Sequence, residues 1–340
     1  MSKVSKIINF NEKIFVAGAT GMAGKSITNL LKKKGYGLKD HGGVILTPSR
    51  SELNLTDNEA VVRWFESNRP TVVILAAAKV GGILANYEYP ADFLIDNLKI
   101  QTNVIENAWK FGVKRLLFLG SSCIYPKFAK QPIKEEELLS GKLEFTNEPY
   151  AIAKIAGIKL CQALRRQYNF DAISLMPTNL YGPGDNYHLT NSHVFASLIY
   201  KFCHAEKKGL EKVVCWGTGR PFREFMHVDD LARAVIFLLE NWDPLKYSDS
   251  TKKEKNVPLD FINVGTGKDI SIFDLTNKIA KLTNFKGEII WDKSKPDGTP
   301  RKVLDINRIT SMGWKPSISL DEGILRTIKE FREINFKFLN

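Results

Sequence analysis

The decisive stretch runs Leu116-Leu117-Phe118-Leu119-Gly120-Ser121-Ser122-Cys123-Ile124-Tyr125-Pro126 and is answered further on by Pro149-Tyr150-Ala151-Ile152-Ala153-Lys154. Its first five residues are apolar or glycine, as expected of a strand buried on both faces of a parallel sheet. Polar groups begin at Ser121, at the expected carboxyl end of that strand, where open α/β sheets bind ligands. The second segment starts a helix with Tyr150 and Lys154 four residues apart, hence on one face. A free phenol titrates near pH ~10, and a neighbouring ammonium favours its ionised form. The pair therefore predicts proton exchange near neutrality, with Ser121 close enough to bond a carbonyl or hydroxyl oxygen. Together these are the parts of a proton relay for carbonyl reduction.

Alone, a Tyr-x-x-x-Lys spacing is weak evidence, because roughly one chance match is expected in a lysine-rich chain with ten tyrosines. The surrounding chain decides the matter. Upstream, the apolar strand 13–17 feeds Gly18-Ala19-Thr20-Gly21-Met22-Ala23-Gly24 and then a helical pattern to Lys34. A glycine turn at a helix N-terminus makes an anion site from backbone N–H groups and the helix dipole. A second strand is expected over 43–47. Folds that select NAD place an acid near its end. Here the sequence is Pro48-Ser49-Arg50-Ser51 with Glu52 later, and Arg50 suits a ribose phosphate, which points to NADP.

Thr56 or Asp57 is expected to cap the next helix. A third strand is read over 71–78, where Ala76, Ala77 and Ala78 allow a cofactor close to the backbone. Helices over 92–111 and 150–168 and a strand over 172–176 continue the alternation. The pattern predicts a Rossmann-type doubly wound parallel sheet. After Pro177-Thr178-Asn179-Leu180-Tyr181-Gly182-Pro183 the alternation loosens, then a helix near 228–241 and a strand at 260–264 rejoin it. Residues 1–180 with 228–265 are thus expected to form the cofactor domain. Residues 181–227 with 266–340 form a smaller mixed α/β substrate lobe, and the polar stretch 247–257 reads as a surface insertion.

Composition narrows the classes. The formal net charge is +12, but the lysines are scattered apart from short clusters such as Lys32-Lys33-Lys34. A solvated basic surface explains this better than nucleic-acid binding. Cys123, Cys161, Cys203 and Cys215 show neither zinc-ligand nor disulfide spacing, so no metal site is expected. No signal-like N-terminus and no membrane-length apolar run is present, so a cytoplasmic protein without membrane contact is expected.

The glycine turn, Ser121 and Tyr150-x-x-x-Lys154 in this order resemble an extended short-chain dehydrogenase/reductase. Gly120–Pro126, Asn147–Lys154, Pro177–Pro183, Asn191-Ser192-His193-Val194, Trp216-Gly217-Thr218-Gly219, Arg223-Glu224-Phe225 and Lys295–Lys302 narrow the likeness to the GDP-L-fucose synthases. That resemblance implies epimerisation of GDP-4-keto-6-deoxy-D-mannose at carbons 3 and 5, then reduction of its ketone with NADPH. It implies Cys123 as the base and His193 as the acid of the first step. Ser121, Tyr150 and Lys154 serve the second. The cofactor would meet Gly18, Thr20, Gly21, Met22, Gly24, Arg50, Ala77, Tyr150, Lys154 and Pro177. The GDP-sugar would meet Asn179, His193, Lys201, Trp216, Arg223 and Lys302. Thr20 stands where some members carry Arg, and Lys201 where Arg is common, which exchanges a bidentate fork for a point charge. Family members are homodimers, so a homodimer is expected.

Rival readings are a reductase for another GDP-4-keto-deoxy sugar, such as a GDP-colitose synthase, and a 4-epimerase that recycles bound NAD. From another class come a non-catalytic NADPH-binding protein and a nucleic-acid-binding protein. The 4-epimerases lack the Cys123 and His193 pair, and retention of Ser121, Tyr150 and Lys154 speaks against a non-catalytic protein.

Overall fold

The computed structural model describes residues 7–188, 192–244, 260–295 and 297–336. The polar stretch 247–257 and the motif residues Asn191 and Pro296 lie outside the described residues. In the first half, β1 (Lys13–Ala17) leads into α1 (Met22–Lys33), and β2 (Val44–Leu46) into α2 (Asn58–Asn68). Next, β3 (Val72–Leu75) precedes α3 (Ile83–Glu88) and α4 (Pro90–Lys110). Then β4 (Arg115–Leu119) precedes α5 (Glu148–Tyr168), followed by β5 (Ala172–Pro177).

The second half contains β6 (Asn179–Tyr181), α6 (Val194–Lys208), β7 (Lys212–Trp216), β8 (Phe222–His227), α7 (Val228–Asn241) and β9 (Phe261–Val264). It ends with β10 (Asp269–Ser271), α8 (Ile272–Thr283), β11 (Glu288–Asp292), β12 (Arg301–Lys302), α9 (Asn307–Ser311) and α10 (Leu320–Phe336).

Six parallel strands form the main sheet in the order β2-β1-β3-β4-β5-β9. The chain direction across the sheet reverses between β1 and β3, which opens a crevice beyond their carboxyl ends. Strand β4 is buried at every residue because helices cover both sides. Its Leu117 and Leu119 pack into one core layer with Ile27, Leu31, Val235 and Leu239. Leu116 and Phe118 pack into the other with Val104, Ile158 and Ala108. The doubly wound expectation therefore holds, with strand 3 ending at Leu75, so that Ala76, Ala77 and Ala78 form the loop beyond it. Asp57, rather than Thr56, caps α2 by accepting the Ala60 N–H.

A second cluster joins α6, α8 and α10 around Phe195, Phe202, Ile279 and Phe331. Strand β8 lies between β10 and β12 and also pairs with β6, while β7 pairs with β11. Ile309 and Trp314, late in the sequence, pack into the core of the main sheet.

Candidate active site

The glycine turn is held by contact. Gly18 has φ +88, and a Cβ there would stand 2.7 Å from the Cα of Ala77, so β1 and the loop after β3 need glycine to approach this closely. A Cβ on Gly24 would stand 2.1 Å from the Gly18 carbonyl oxygen, whereas one on Gly21 makes only an ordinary 3.5 Å contact. Gly21 caps α1 without a side-chain bond, and no acid occupies the first turn. The first helical bond runs from Lys25 N–H to the Gly21 carbonyl at 2.8 Å, which leaves the N–H groups ahead of it available for an anion. Met22 starts the helix, and Thr20 is exposed beside it. Arg50 is exposed in the turn after β2, and Glu52 is engaged by the Ser49 N–H at 2.7 Å. This cradle fits a dinucleotide pyrophosphate, and the loop cation fits a ribose phosphate better than a ribose diol. Pro177 closes β5, beside the carboxyl end of β4.

The chemistry sits beyond β4. Ser121 caps a single 3-10 turn, its Oγ accepting the Cys123 N–H at 3.1 Å, and this fixes where the thiol stands. Helix α5 lies close over β4 because Gly157 has no Cβ, an atom that would come within 2.7 Å of the Phe118 ring. That approach brings Tyr150 to a hydrogen bond with Ser121 and into the field of Cys123. A hydroxyl has one donor and two acceptor positions, so Ser121 can serve Cys123 and Tyr150 together.

The expected depression of the Tyr150 phenol by Lys154 is corrected by the geometry. Lys154 is only 3% exposed, and its Nζ donates to the Leu119 carbonyl at 2.8 Å. It lies 5.9 Å from the centre of the Tyr150 ring and 4.8 Å from that of Phe118. Burial pushes the ammonium down to about 7, so near neutrality it offers only part of a charge. Burial pushes the Tyr150 phenol up, with Cys123 adding to the rise and the Ser121 bond opposing it.

The substrate side is built by β8 and β12. These pair in parallel with Lys302 opposite Arg223, so two cations share one face of adjacent strands. Like charges this close repel and call for an anion. The Lys302 Nζ approaches the Cys123 Sγ at 3.6 Å. Arg223, whose guanidinium is held down by burial, feels Cys123 and then Asp297. His193 caps α6 with its backbone only, so its imidazole is not used at the helix N-terminus. Solvent reaches it, yet the surrounding protein pushes the ring below its ordinary value, and Lys302 adds to this.

The remaining expected contacts spread outward. Asn179, on β6, donates from Nδ2 to the Glu224 carbonyl at 2.8 Å. Trp216 is a surface residue, 43% exposed, with the Lys201 ammonium 5.3 Å and the Lys295 ammonium 5.5 Å from its ring. Lys201 also donates to the Val214 carbonyl at 2.8 Å. Ser121 and Tyr150 thus stand beside Cys123, Lys302 and Arg223 act on the same thiol and Lys302 on His193, with Lys201 and Trp216 on the β7 side.

Sequence reasoning missed Glu224, Lys295 and Asp297. Glu224 is fully buried, its carboxylate accepting the N–H groups of Gly267 and Leu304 at 2.8 Å each and that of Thr266. Asp297 accepts both the N–H and the Oγ–H of Thr218 at 2.7 Å and its carbonyl meets Arg223, which fastens the loop before β12 to the site. The available signal was Arg223-Glu224 itself, since adjacent residues of a strand cannot share a face.

Among the described residues no cluster of His, Cys, Asp and Glu is arranged to hold a metal ion, and no helix is long and apolar enough to cross a membrane. A parallel doubly wound sheet with a glycine cradle, joined to a serine–tyrosine–lysine cluster at the end of β4, defines a nicotinamide-dependent oxidoreductase of the extended short-chain type. The profile of the NAD dependent epimerase/dehydratase family matches residues 14–249. GDP-L-fucose synthase 1 of Arabidopsis thaliana is 50% identical over 326 residues, covering 96% of this chain and 95% of its own. The GDP-L-fucose synthase of Escherichia coli K12 is 50% identical over 328 residues, covering 96% and 98%. A solved GDP-L-fucose synthetase from Naegleria fowleri bound to NADP superposes with a TM-score of 0.83 at 26% identity, covering 98% of each chain. The chain belongs to the NAD dependent epimerase/dehydratase family and, within it, to the GDP-L-fucose synthases.

Proposed function

We propose that this protein epimerises GDP-4-keto-6-deoxy-D-mannose at carbons 3 and 5 and reduces the 4-ketone with NADPH, yielding GDP-L-fucose. The observation that carries the reading is the thiol of Cys123 standing beside the Ser121–Tyr150 pair, with Lys302 at 3.6 Å from that thiol and close enough to act on His193. A simple reductase has no use for a thiol there.

The 4-ketone acidifies both neighbouring carbons. Cys123 removes a proton from one face, the electron pair moves into the enolate, and His193 returns a proton to the opposite face. The desolvation and the Lys302 charge that hold the His193 ring down are opposed by an anionic substrate, which favours the protonated ring. Ser121 and Tyr150 hold the carbonyl oxygen, and Tyr150 protonates it during reduction. NADPH, when bound, supplies the hydride. The backbone from Gly18 to Gly24 with Ala77 and Pro177 holds its body, and Arg50 its ribose phosphate. Arg223, Lys201, Asn179 and Trp216 receive the GDP-sugar.

Residues 1–180 with 228–265 chiefly serve the cofactor and 181–227 with 266–340 the sugar nucleotide, with Asn179 reaching across to the sugar side and Ile309 and Trp314 packing back under the main sheet. Exposed Ile95 on α4 and Ile152 on α5 support a homodimer joined through those helices, and the substrate pair suits the cytoplasm. The test is incubation with GDP-4-keto-6-deoxy-D-mannose and NADPH, following cofactor oxidation and identifying the sugar. GDP-L-fucose with one NADPH consumed per sugar supports the reading. Oxidation without inversion, or GDP-colitose formed only from a 3-deoxy substrate, overturns it.

A further inference from the structure

We infer that Lys302 is a residue of the epimerisation step, stabilising negative charge as it passes from the Cys123 sulfur to the substrate enolate, and not chiefly a ligand of the diphosphate. The inference rests on the reading of Cys123 as the base. Its basis is geometric. The Lys302 ammonium lies 3.6 Å from the Cys123 sulfur, within a cleft also lined by Ser122, Glu144, Asn147 and Thr299. Glu144 Oε2 accepts the Thr146 and Asn147 N–H groups at 3.0 and 3.2 Å, and no ion pair joins this carboxylate to that ammonium among the described residues. Arg223 faces the same thiol, but its guanidinium is also occupied by the Phe222 and Asp297 carbonyls at 2.9 and 3.4 Å. Of the two cations, Lys302 is the one with no backbone acceptor among the described residues and a direct approach to the sulfur.

The backbone explains why Lys302 stays there. On one side Lys302 pairs in register with Arg223, and immediately after it the Ile133 N–H meets the Val303 carbonyl at 2.8 Å. The Val303 N–H meets Gln131 Oε1 at 3.0 Å. The strand fixes the Cα of Lys302, so its flexible stem starts from a set place beside the thiol. In the step itself the C–H bond breaks as the S–H bond forms, and its electron pair becomes the enolate. The negative charge leaves sulfur and appears on oxygen. A cation beside sulfur offsets the negative charge on the base while the enolate forms, its oxygen held by Ser121 and Tyr150.

Two measurements on the full chain test this with Lys302→Met and Lys302→Arg. The first is solvent deuterium incorporation at carbons 3 and 5 of the keto sugar at saturating substrate. Lys302→Met is expected to slow incorporation about 10²–10³-fold, as does loss of a preorganised charge-stabilising donor, while the KM changes less than about tenfold. Lys302→Arg recovers part of the rate. The second needs no substrate. The Lys302 ammonium is 3.6 Å from the sulfur, and without that neighbouring charge alkylation of Cys123 by iodoacetamide at pH 7 slows about tenfold in Lys302→Met. Cys161, Cys203 and Cys215 are buried and serve as internal references. A raised KM with wild-type exchange at saturation, or unchanged alkylation, overturns the inference. Failure of the wild-type protein to turn over the keto sugar overturns the proposed function instead, and leaves the alkylation result standing.

Discussion

The carboxylate of Glu224 accepts the backbone N–H of Leu304 at 2.8 Å, two residues beyond Lys302. Because the same carboxylate holds Thr266 and Gly267, one buried acid ties β8 to the ends of β9 and β12. Burial raises its proton affinity, while the backbone donors from Leu304, Gly267 and Thr266 oppose that rise. Glu224→Gln puts an NH2 group against backbone N–H donors. An unsatisfied buried donor costs about 1–3 kcal/mol. Urea unfolding should show that loss, and the KM for the GDP-sugar should rise because Lys302 and Arg223 lose their common register. A variant as stable as the wild type would show that the strands hold themselves.

Lys154 gives a prediction in pH. Its folded value, about 7, lies below the 10.5 of an exposed lysine. Between these values the unfolded chain carries more protons, so this group makes the protein more stable as pH rises through the window. Below about 7 the full cost of burying an ammonium is present. Lys154→Met lacks this dependence, and the other titrating groups are common to both proteins. The melting temperature of the variant relative to the wild type should therefore be most favourable at pH 6 and decline toward pH 9. A difference independent of pH would mean that Lys154 titrates as an exposed lysine.

What could be read from the sequence follows range. The apolar runs of β1, β4 and β5, the three glycines and the four-residue step from Tyr150 to Lys154 are local patterns, and each recurs in the fold. The placement of Lys302 and Glu224 depends on a two-residue strand, β12, pairing with β8 across a long stretch of chain, and such a strand leaves no periodicity to read. Lys154 illustrates the difference. Its spacing from Tyr150 was evident, but its bond to the Leu119 carbonyl follows from how closely Gly157 lets α5 settle on β4.

Arg50 should decide between the two nicotinamide cofactors. It is exposed after β2, beside a Glu52 already bonded to the Ser49 N–H, and no other basic residue follows in that turn. Charge-assisted hydrogen bonds contribute about 1.5–3 kcal/mol. Arg50→Ala should weaken NADPH binding by about 10- to 100-fold and leave NADH binding nearly unchanged, as measured by fluorescence titration of each cofactor. Equal losses would assign Arg50 to the shared part of the dinucleotide.

The glycine turn separates folding from binding. A methyl group at Gly24 would meet the Gly18 carbonyl oxygen at 2.1 Å, and backbone cannot yield as a side-chain tip can. Gly24→Ala should therefore destabilise the protein by about 1–3 kcal/mol, the usual cost of overpacking. Gly21→Ala meets that oxygen at 3.5 Å, and its φ of -76° suits any residue. It should melt close to the wild type. Yet its methyl group would stand where the first turn of α1 must approach a pyrophosphate, so the Kd for NADPH should rise at least about tenfold through loss of close backbone approach. Thermal unfolding and cofactor titration on both variants check the contrast. Parallel losses of stability and binding at the two positions would mean that the turn serves packing alone and that the anion is held elsewhere.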